Sequence, residues 1–490
     1  MFKKILCSLL ASMMLVGSLV ACASGDAANE TLDPNSTSSV EEDTGEKLDI
    51  PNTRYDGTEL CFLVRGGTGA WSTVEVFADN TTANADNISY AVFERNDRIY
   101  QDYGVTVVEY RSEDHHTAVN NEVAAPTGDF QVIATNVTNS ANFATGGFLW
   151  NLNSDAFEYI DLSKPWWDTK MAEGMSIDGR LYFATGDIMT LDNDATFIIM
   201  FNKKLATDSQ LPNLYELVET GEWTMSRLYE FEQKTVQDLN GNGKLDYDSD
   251  VCGFAYTNDV PNCLMFGGGI TLVTKDEDDL PIYNLDIERA QGIVELGKQL
   301  LSNKYTVNLN EPSVGVEESG KKCFGENHAL FFGEVLQCVT RVRGYDVDFG
   351  ILPFPKYNLT QTDYASMMHT TASVISIPRS ISENDLGMVE SMIEAIAYHS
   401  VNTLTKQYYE INLKTKGAKD VESGPMIDTI LANRACDLSY YYGWGNNAFG
   451  TISSCMLPSG SGTISSASRI ASKSIQNSIT AILRKMEKFD

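Results

Sequence analysis

Positive charge is scarce in this chain: 36 lysines and arginines stand against 67 aspartates and glutamates, for a formal charge of −31 with 5 histidines counted neutral. A field of that sign repels polyphosphates, which argues against nucleic acid or an anionic membrane surface as partner. It also disfavours an anionic ligand, unless a local pocket overrides the global field. Long hydrophobic runs are missing after residue 20, so no later segment is expected to cross a bilayer. CxxC, GxSxG, HExxH and P-loop motifs are all absent, so motif evidence for a catalytic centre is thin. His115 and His116 adjoin, but neighbouring residues do not share a helix face and no matching ligand cluster follows. His328, His369 and His399 stand singly and read as structural. The acidic residues still offer many carboxylate pairs, so a glycosidase-type pair is not removed by sequence.

What is present at the start is an export signal. Met1-Phe-Lys-Lys is basic, Ile5 to Val20 is apolar, and small residues lead to Cys22. The apolar run is shorter than the roughly 20 residues of a membrane span, so residues 1–21 read as a secretory signal peptide. Leu19-Val20-Ala21-Cys22 resembles a bacterial lipobox, which implies cleavage before Cys22 and a diacylglycerol on its sulfur. The protein is then expected on the outer face of a bacterial cell membrane, held by lipid alone. Residues 22–50 carry the lipidated Cys22 and a disordered tether without aromatics, spanning about 30 Å root-mean-square.

From Pro51 onward aromatics recur and charge is dispersed. That length exceeds one compact core, so two domains are expected. Thr58–Val64, Val105–Tyr110, Asp129–Thr135, Asp346–Pro353 and Ala372–Pro378 read as strands; Tyr90–Tyr100, Met388–Ser400 and Ile464–Met486 read as helices. Gly104 is expected to stop the first helix. Strands alternating with helices predict an α/β fold with a largely parallel sheet. Seven cysteines remain beyond Cys22, an odd number, and read mostly as buried apolar thiols. Cys252 and Cys263 are close enough in sequence to be the one candidate bridge.

A family resemblance rests on an ordered set of segments. The helix carrying Glu94-Arg95-Asn96 precedes the strand Val105–Tyr110. Asp161-Leu-Ser-Lys-Pro-Trp-Trp-Asp precedes Ile177-Asp-Gly-Arg-Leu-Tyr-Phe and Thr196-Phe-Ile-Ile-Met-Phe-Asn-Lys. Leu214-Tyr-Glu-Leu-Val-Glu-Thr-Gly-Glu-Trp-Thr and Asp348-Phe-Gly-Ile-Leu-Pro-Phe-Pro-Lys follow. The order resembles the family 1 extracellular solute-binding proteins of sugar ABC importers, the maltose-binding-like class, and most of all its lipoproteins from Gram-positive, often clostridial, bacteria. The resemblance implies a two-lobed periplasmic-binding-protein-like fold (type II) with discontinuous lobes. Lobe 1 is then expected at 51–193 plus 371–415, and lobe 2 at 194–370 plus 416–490, with Thr196–Lys203 and His369–Ser376 as hinge strands. It also implies a monomer that passes a carbohydrate, expected to be an oligosaccharide, to ABC transporter permease subunits.

A sugar offers hydroxyls at its rim and C–H groups on its faces, so its site needs aromatic planes and well-matched polar groups. Trp71 sits in Gly66-Gly-Thr-Gly-Ala-Trp-Ser, past the end of the first strand, where α/β sheets bind ligands. Arg65 and Glu75 flank it. Tyr442 and Trp444 lie in Tyr440-Tyr-Tyr-Gly-Trp-Gly-Asn-Asn, which is too rich in glycine for a helix interior and too aromatic for a plain loop. Phe266 adjoins Gly267-Gly-Gly. By the resemblance, Asp187 occupies a position where the family often carries an acidic ligand contact, with Asp192 and Asp194 as weaker choices. Trp166 and Trp167 read as packing, and Trp223 as a staple before a helix capped by Thr224.

Asp238-Leu-Asn-Gly-Asn-Gly-Lys-Leu-Asp-Tyr-Asp-Ser-Asp resembles a calcium loop. Asp238, Asn240, Asn242, the Lys244 carbonyl and Asp246 fall at ligand positions 1, 3, 5, 7 and 9, with Gly243 at 6. Position 12 is Ser249, so Asp250, one residue later, is the expected closing carboxylate, with Asp248 as the other choice. A structural calcium ion is expected there. The leading reading is a sugar-binding lipoprotein without enzymatic activity. An exported glycoside hydrolase is the alternative, and a surface adhesin the third.

Overall fold

A computed structural model describes residues 45–67, 71, 75–79, 81–83, 85–409, 421–460 and 462–489. The expected signal peptide, Cys22 and the expected tether up to residue 44 lie outside these, as does the expected end of lobe 1 near residue 415. The ordered body begins earlier than expected. Leu48 and Ile50 pack against a hydrophobic core, and Glu46 pairs with Lys164 at 2.9 Å. The expected tether therefore ends before residue 46, because these two apolar side chains have a surface to cover.

Among the described residues eleven strands run in chain order: β1 (Thr58–Arg65), β2 (Val105–Ser112), β3 (Val132–Asn136), β4 (Phe197–Asn202), β5 (Cys252–Tyr256), β6 (Val273–Lys275), β7 (Pro281–Tyr283), β8 (Thr306–Asn308), β9 (Ala329–Val335), β10 (Phe349–Leu352) and β11 (Ser373–Ser376). They form two main sheets and a hairpin: β11-β3-β1-β2, β10-β4-β9-β5-β8, and β6-β7. In the first, β1 lies parallel to both β2 and β3, and β11 is antiparallel. The second is more mixed than expected. β4 runs antiparallel to both β9 and β10, while β5 is parallel to β8 and β9. β4 and β9 are buried at every residue, so their sequences show no alternation from which direction could be read.

Local signals explain the elements that frame the first sheet. The helix Asn87–Tyr103 starts where the Asp86 carboxylate accepts the Ile88 and Ser89 amides at 2.8 and 2.9 Å, which satisfies two orphan donors. It ends at Gly104, whose φ of 74° favours glycine. The helix Glu383–Ser400 carries a buried carboxylate, Glu394. It accepts both indole N–H groups of the Trp166–Trp167 pair, at 2.8 and 2.9 Å. Burial pushes Glu394 up to about 7, opposed by those two donors. The tryptophans therefore are packing residues, as their position after Pro165 implied. Trp223 is likewise fully buried, its indole donating to the Pro353 carbonyl at 2.9 Å.

The chain passes between the sheets along paired segments. Residues 194–197 lead into β4, and residues 366–371 return toward β11. Thr196 and Met368 form an antiparallel bridge, flanked by Phe197 N–H to Met367 O at 2.9 Å and His369 N–H to Ala195 O at 2.8 Å. Residues 433–435 run beside them, with Ser366 N–H to Asn433 O and Ala435 N–H to Ser366 O both at 2.9 Å. Arg434 on that third segment is buried and pairs with Asp168 at 2.7 Å and Asp192 at 3.0 Å.

Replacing Glu394 by alanine leaves two buried indole donors unmet. The expected cost is about 2–4 kcal/mol, read from urea unfolding, with Glu394→Gln losing less because its amide oxygen still accepts one indole. An unchanged unfolding midpoint for the alanine variant would contradict this role.

Candidate functional site

In open α/β sheets the carboxyl ends of parallel strands are the chemically free edge. Here the ends of β1, β5 and β9 are brought to the crossing segment 366–371. Arg65 ends β1. Its guanidinium donates to the Thr371 carbonyl and, at 3.4 Å, to the Trp71 carbonyl. It thus ties the Trp71 loop to the crossing, while its Nε is buried without a partner among the described residues. Trp71 is half-buried.

His369 sits on the crossing itself. Its Nδ1 accepts the Thr371 N–H at 3.1 Å and lies 2.7 Å from the Thr371 hydroxyl. A neutral imidazole must then carry its proton on Nε2, and that nitrogen faces Asp259 Oδ1 at 3.8 Å. Burial lowers the His369 pKa, with Asp259 opposing and Arg65 reinforcing. One imidazole therefore senses Arg65 from the first sheet and Asp259 from the second.

The second-sheet wall continues from Asp259. Thr257, just past β5, has a buried hydroxyl without a partner among the described residues. Glu334 near the end of β9 is 8 % exposed, and one of its oxygens accepts the adjacent Val335 amide at 3.0 Å. Burial pushes Glu334 up to about 7, and Asp259 adds to the shift. Tyr440 completes this side: its ring meets Phe266 edge-on at 5.5 Å, and Asp259 helps to raise its pKa. Arg65, Trp71, Asp259, Glu334, His369 and Tyr440 are thus gathered from distant parts of the chain.

Of the residues expected from sequence, Arg65 and Trp71 belong to this set. Glu75 lies behind it: its carboxylate accepts the Thr190 and Leu191 amides at 3.0 and 2.7 Å. Burial nevertheless pushes it up to about 7. A cavity of about 20 Å³ beside Arg65, Trp71 and Glu75 has room for about one water.

The other expected residues go elsewhere. Asp187 is half-buried, accepts the Thr405 hydroxyl at 3.0 Å, and is raised to about 7 by burial; it stands near Asp192 and Arg434 instead. Asp194 accepts the Tyr408 hydroxyl at 2.6 Å, with burial raising it to about 6. Phe266 is buried and stacks on Phe449, centroids 4.7 Å apart. Tyr442 packs between Phe183 and Trp444, at 5.9 and 5.6 Å. Trp444 is buried. Asp259, Glu334, His369 and Tyr440 were missed by sequence reading. Asp259 could have been found by the strand-end rule that singled out Trp71, since Thr257-Asn-Asp follows β5 directly.

In the loop 238–250 the Asp250 carboxylate turns back onto the start of the loop. Asp250 is buried and its carboxylate accepts the Leu239 and Asp246 amides, both at 2.8 Å. Asp238 accepts the Gly241 and Gly243 amides at 2.6 and 2.8 Å. The oxygens of Asn240 and Asn242 accept the amides of Asn242 and Lys244. Their NH2 groups both point at Asp246 Oδ2, at 2.8 and 2.7 Å. The donor set fits a hard cation in part: three carboxylates lie in one loop, but two side-chain amides already occupy Asp246 Oδ2. Among the described residues, no cluster of three His, Cys, Asp or Glu side chains is set to hold a metal.

No protein-family model and no curated protein sequence matches the chain. Solved structures do. The GacH receptor of Streptomyces glaucescens, studied unliganded and with acarbose, aligns with a TM-score of 0.53 at 15% identity, covering 86% of this chain and 98% of its own. The maltose/maltodextrin-binding domain MalE of Bdellovibrio bacteriovorus, bound to maltotriose, gives 0.53 at 16%, covering 86% and 100%. An ABC substrate-binding protein of Listeria monocytogenes with cycloalternan gives 0.53 at 14%, covering 87% and 100%. The chain has the two-lobed periplasmic-binding-protein-like fold of these structures. The sheets β11-β3-β1-β2 and β10-β4-β9-β5-β8 are joined by the crossing segments, and His369 lies on that crossing.

Glu75, Asp187, Asp194 and Glu334 all titrate above their unfolded values, so the folded protein binds more protons than the unfolded chain between about pH 4.5 and 7. Stability must therefore fall as pH rises through that window. The melting temperature is expected to be several degrees higher at pH 5.5 than at pH 8. A flat or rising profile over that range would refute the burial of these carboxylates.

Proposed function

We propose that this protein captures a neutral carbohydrate, an oligosaccharide, between its lobes and delivers it to the permease of an ABC importer. The observation that carries the reading is the meeting of Arg65 from the first sheet with Asp259 from the second at His369 on the crossing, with Glu334 acting on Asp259 from behind. Arginine and carboxylates supply donors and acceptors for hydroxyl groups, and Trp71 and Tyr440 supply flat surfaces for sugar faces. The buried, unpartnered Arg65 Nε and Thr257 hydroxyl are polar atoms that a polyol would satisfy. The sugar complexes of the fold's solved relatives support the same class of ligand. Binding works as a population shift: a guest that contacts both walls favours the arrangement in which they are close, by no more than its differential affinity.

The lipobox at Cys22 supports a lipid anchor on the outer cell surface, with the body acting as a monomer. The loop 238–250 supports a structural calcium ion, with Asp238, Asp246 and Asp250 as carboxylates and Asn240, Asn242 and the Lys244 carbonyl as neutral oxygens. Its role is to brace the second lobe, away from the sugar.

A thermal-shift and calorimetry screen of linear and cyclic oligosaccharides tests the reading. At least one is expected to raise the melting temperature and to be recovered unhydrolysed. Asp259→Ala and Trp71→Ala are expected to weaken its binding about 10- to 100-fold, as for a lost polar or stacking partner of about 1.5–3 kcal/mol, with the ligand-free melting temperature nearly unchanged. No stabilisation by any sugar, or turnover of one, would overturn the proposal. For the loop, millimolar calcium against a chelator is expected to raise the melting temperature of the wild type and not of Asp238→Ala.

A further inference from the structure

The second lobe holds a cysteine pair that sequence spacing did not select. Cys252 opens β5, and Cys323 lies in the helical turn Lys321–Gly325. Cys252 is the neighbour that, ahead of burial, holds the Cys323 thiol well above its ordinary value. His328 stitches the two backbones together: its carbonyl accepts the Cys252 N–H at 2.8 Å, and its own N–H donates to the Cys323 carbonyl at 2.7 Å. The register of β5 on β9 sets Cys252 opposite Ala329, the next residue. Both side chains are buried, at 2 % and 0 % exposure, in one apolar cluster with Ile198, Ala255 and Phe332.

The pairing suggested by proximity in sequence is not formed. Cys263 lies in a different core cluster, and its thiol donates to the Asp259 carbonyl at 3.4 Å. Cys455 similarly turns to the Thr451 carbonyl. Cys338 shares the cluster of Cys252 and Cys323, so it serves as the control.

We propose that Cys252 and Cys323 are joined by a disulfide when the chain folds in an oxidising compartment. This rests on the reading of the protein as exported. The two thiols lose two protons and two electrons as the S–S bond forms. The electrons reduce a disulfide donor, such as an extracytoplasmic thiol–disulfide oxidoreductase or oxidised glutathione, to two thiols. Because both sulfurs end up buried, oxidation takes place before the core closes, and the finished bond is shielded from reductants. The cross-link closes a loop of about 70 residues that includes β6, β7, β8 and the interior of the second lobe. A constraint on so long a loop acts mainly on the unfolded chain. It also ties β5 to the turn that leads into β9, and these are the two strands that deliver Asp259 and Glu334.

Two arms test it. In the first, the full chain is denatured, reduced, refolded in a glutathione redox buffer, alkylated and mapped by mass spectrometry. A Cys252–Cys323 linked peptide is expected, retained in Cys263→Ala and Cys338→Ala and lost in Cys323→Ser. Reduction of the refolded protein is expected to lower its melting temperature by a few degrees, with no such effect on the Cys252→Ala/Cys323→Ala double variant. Alkylation of both cysteines as free thiols, or linkage of either to Cys263 or Cys338, would overturn the pairing. In the second arm the chain is isolated from exporting cells and alkylated at once. The same linked peptide is expected there, and free thiols in this arm alone would place folding in a reducing compartment and overturn the proposal as a property of the native protein. Neither arm depends on sugar binding, so the failure of the carbohydrate reading would be seen separately.

Discussion

The antiparallel contact between residues 194–197 and 366–371 is the constraint on which the rest depends. It is short, and its hydrogen bonds join the two places where the chain passes from one sheet to the other. Everything that could serve a ligand is referred to it. Arg65 reaches the site by donating to Thr371, and Asp259 faces His369. Arg434, paired with Asp168 and Asp192, clasps the same region from a third segment. A buried ion pair is a weak source of net stability but is costly to break by halves, so this arrangement favours one geometry over near neighbours.

A strongly acidic chain must also manage the carboxylates it buries. Here three of them are given their own sets of donors. Glu394 takes two indoles, Glu75 takes two amides, and Glu390 takes the amides of residues 158, 159 and 160. None of these three relies on a close lysine or arginine for its hydrogen bonds. The few basic side chains are therefore left for special places, such as Arg65 and Arg434. A site flanked by one arginine, an imidazole and two carboxylates suits an uncharged, hydroxyl-rich guest better than an anion, in keeping with the charge of the chain as a whole.

Several elements were legible because their signals are local. The helix Asn87–Tyr103 shows apolar spacing and a stopping glycine, and the helix Ile464–Met486 was bounded correctly from its periodicity alone. β1 and β2 carry β-branched and aromatic runs. The aromatic stretch after Tyr440 misled in detail. Its glycines do break the helix, with Gly443, Gly445, Asn446 and Asn447 all at positive φ, but Trp444 turns into the core. A glycine-rich aromatic segment looks the same in sequence whether its rings face a guest or the interior.

By itself, the sequence determined the class of fold and the strand end at Arg65. These follow from residue patterns over a few turns or strands, where chain neighbours dictate geometry. The tertiary structure alone decided that His369 is the junction, that Asp259 faces it, and that Cys252 lies by Cys323 and not by Cys263. Those contacts join residues far apart in the chain, and their partners are chosen by how strands pair and cores close, which no local pattern records.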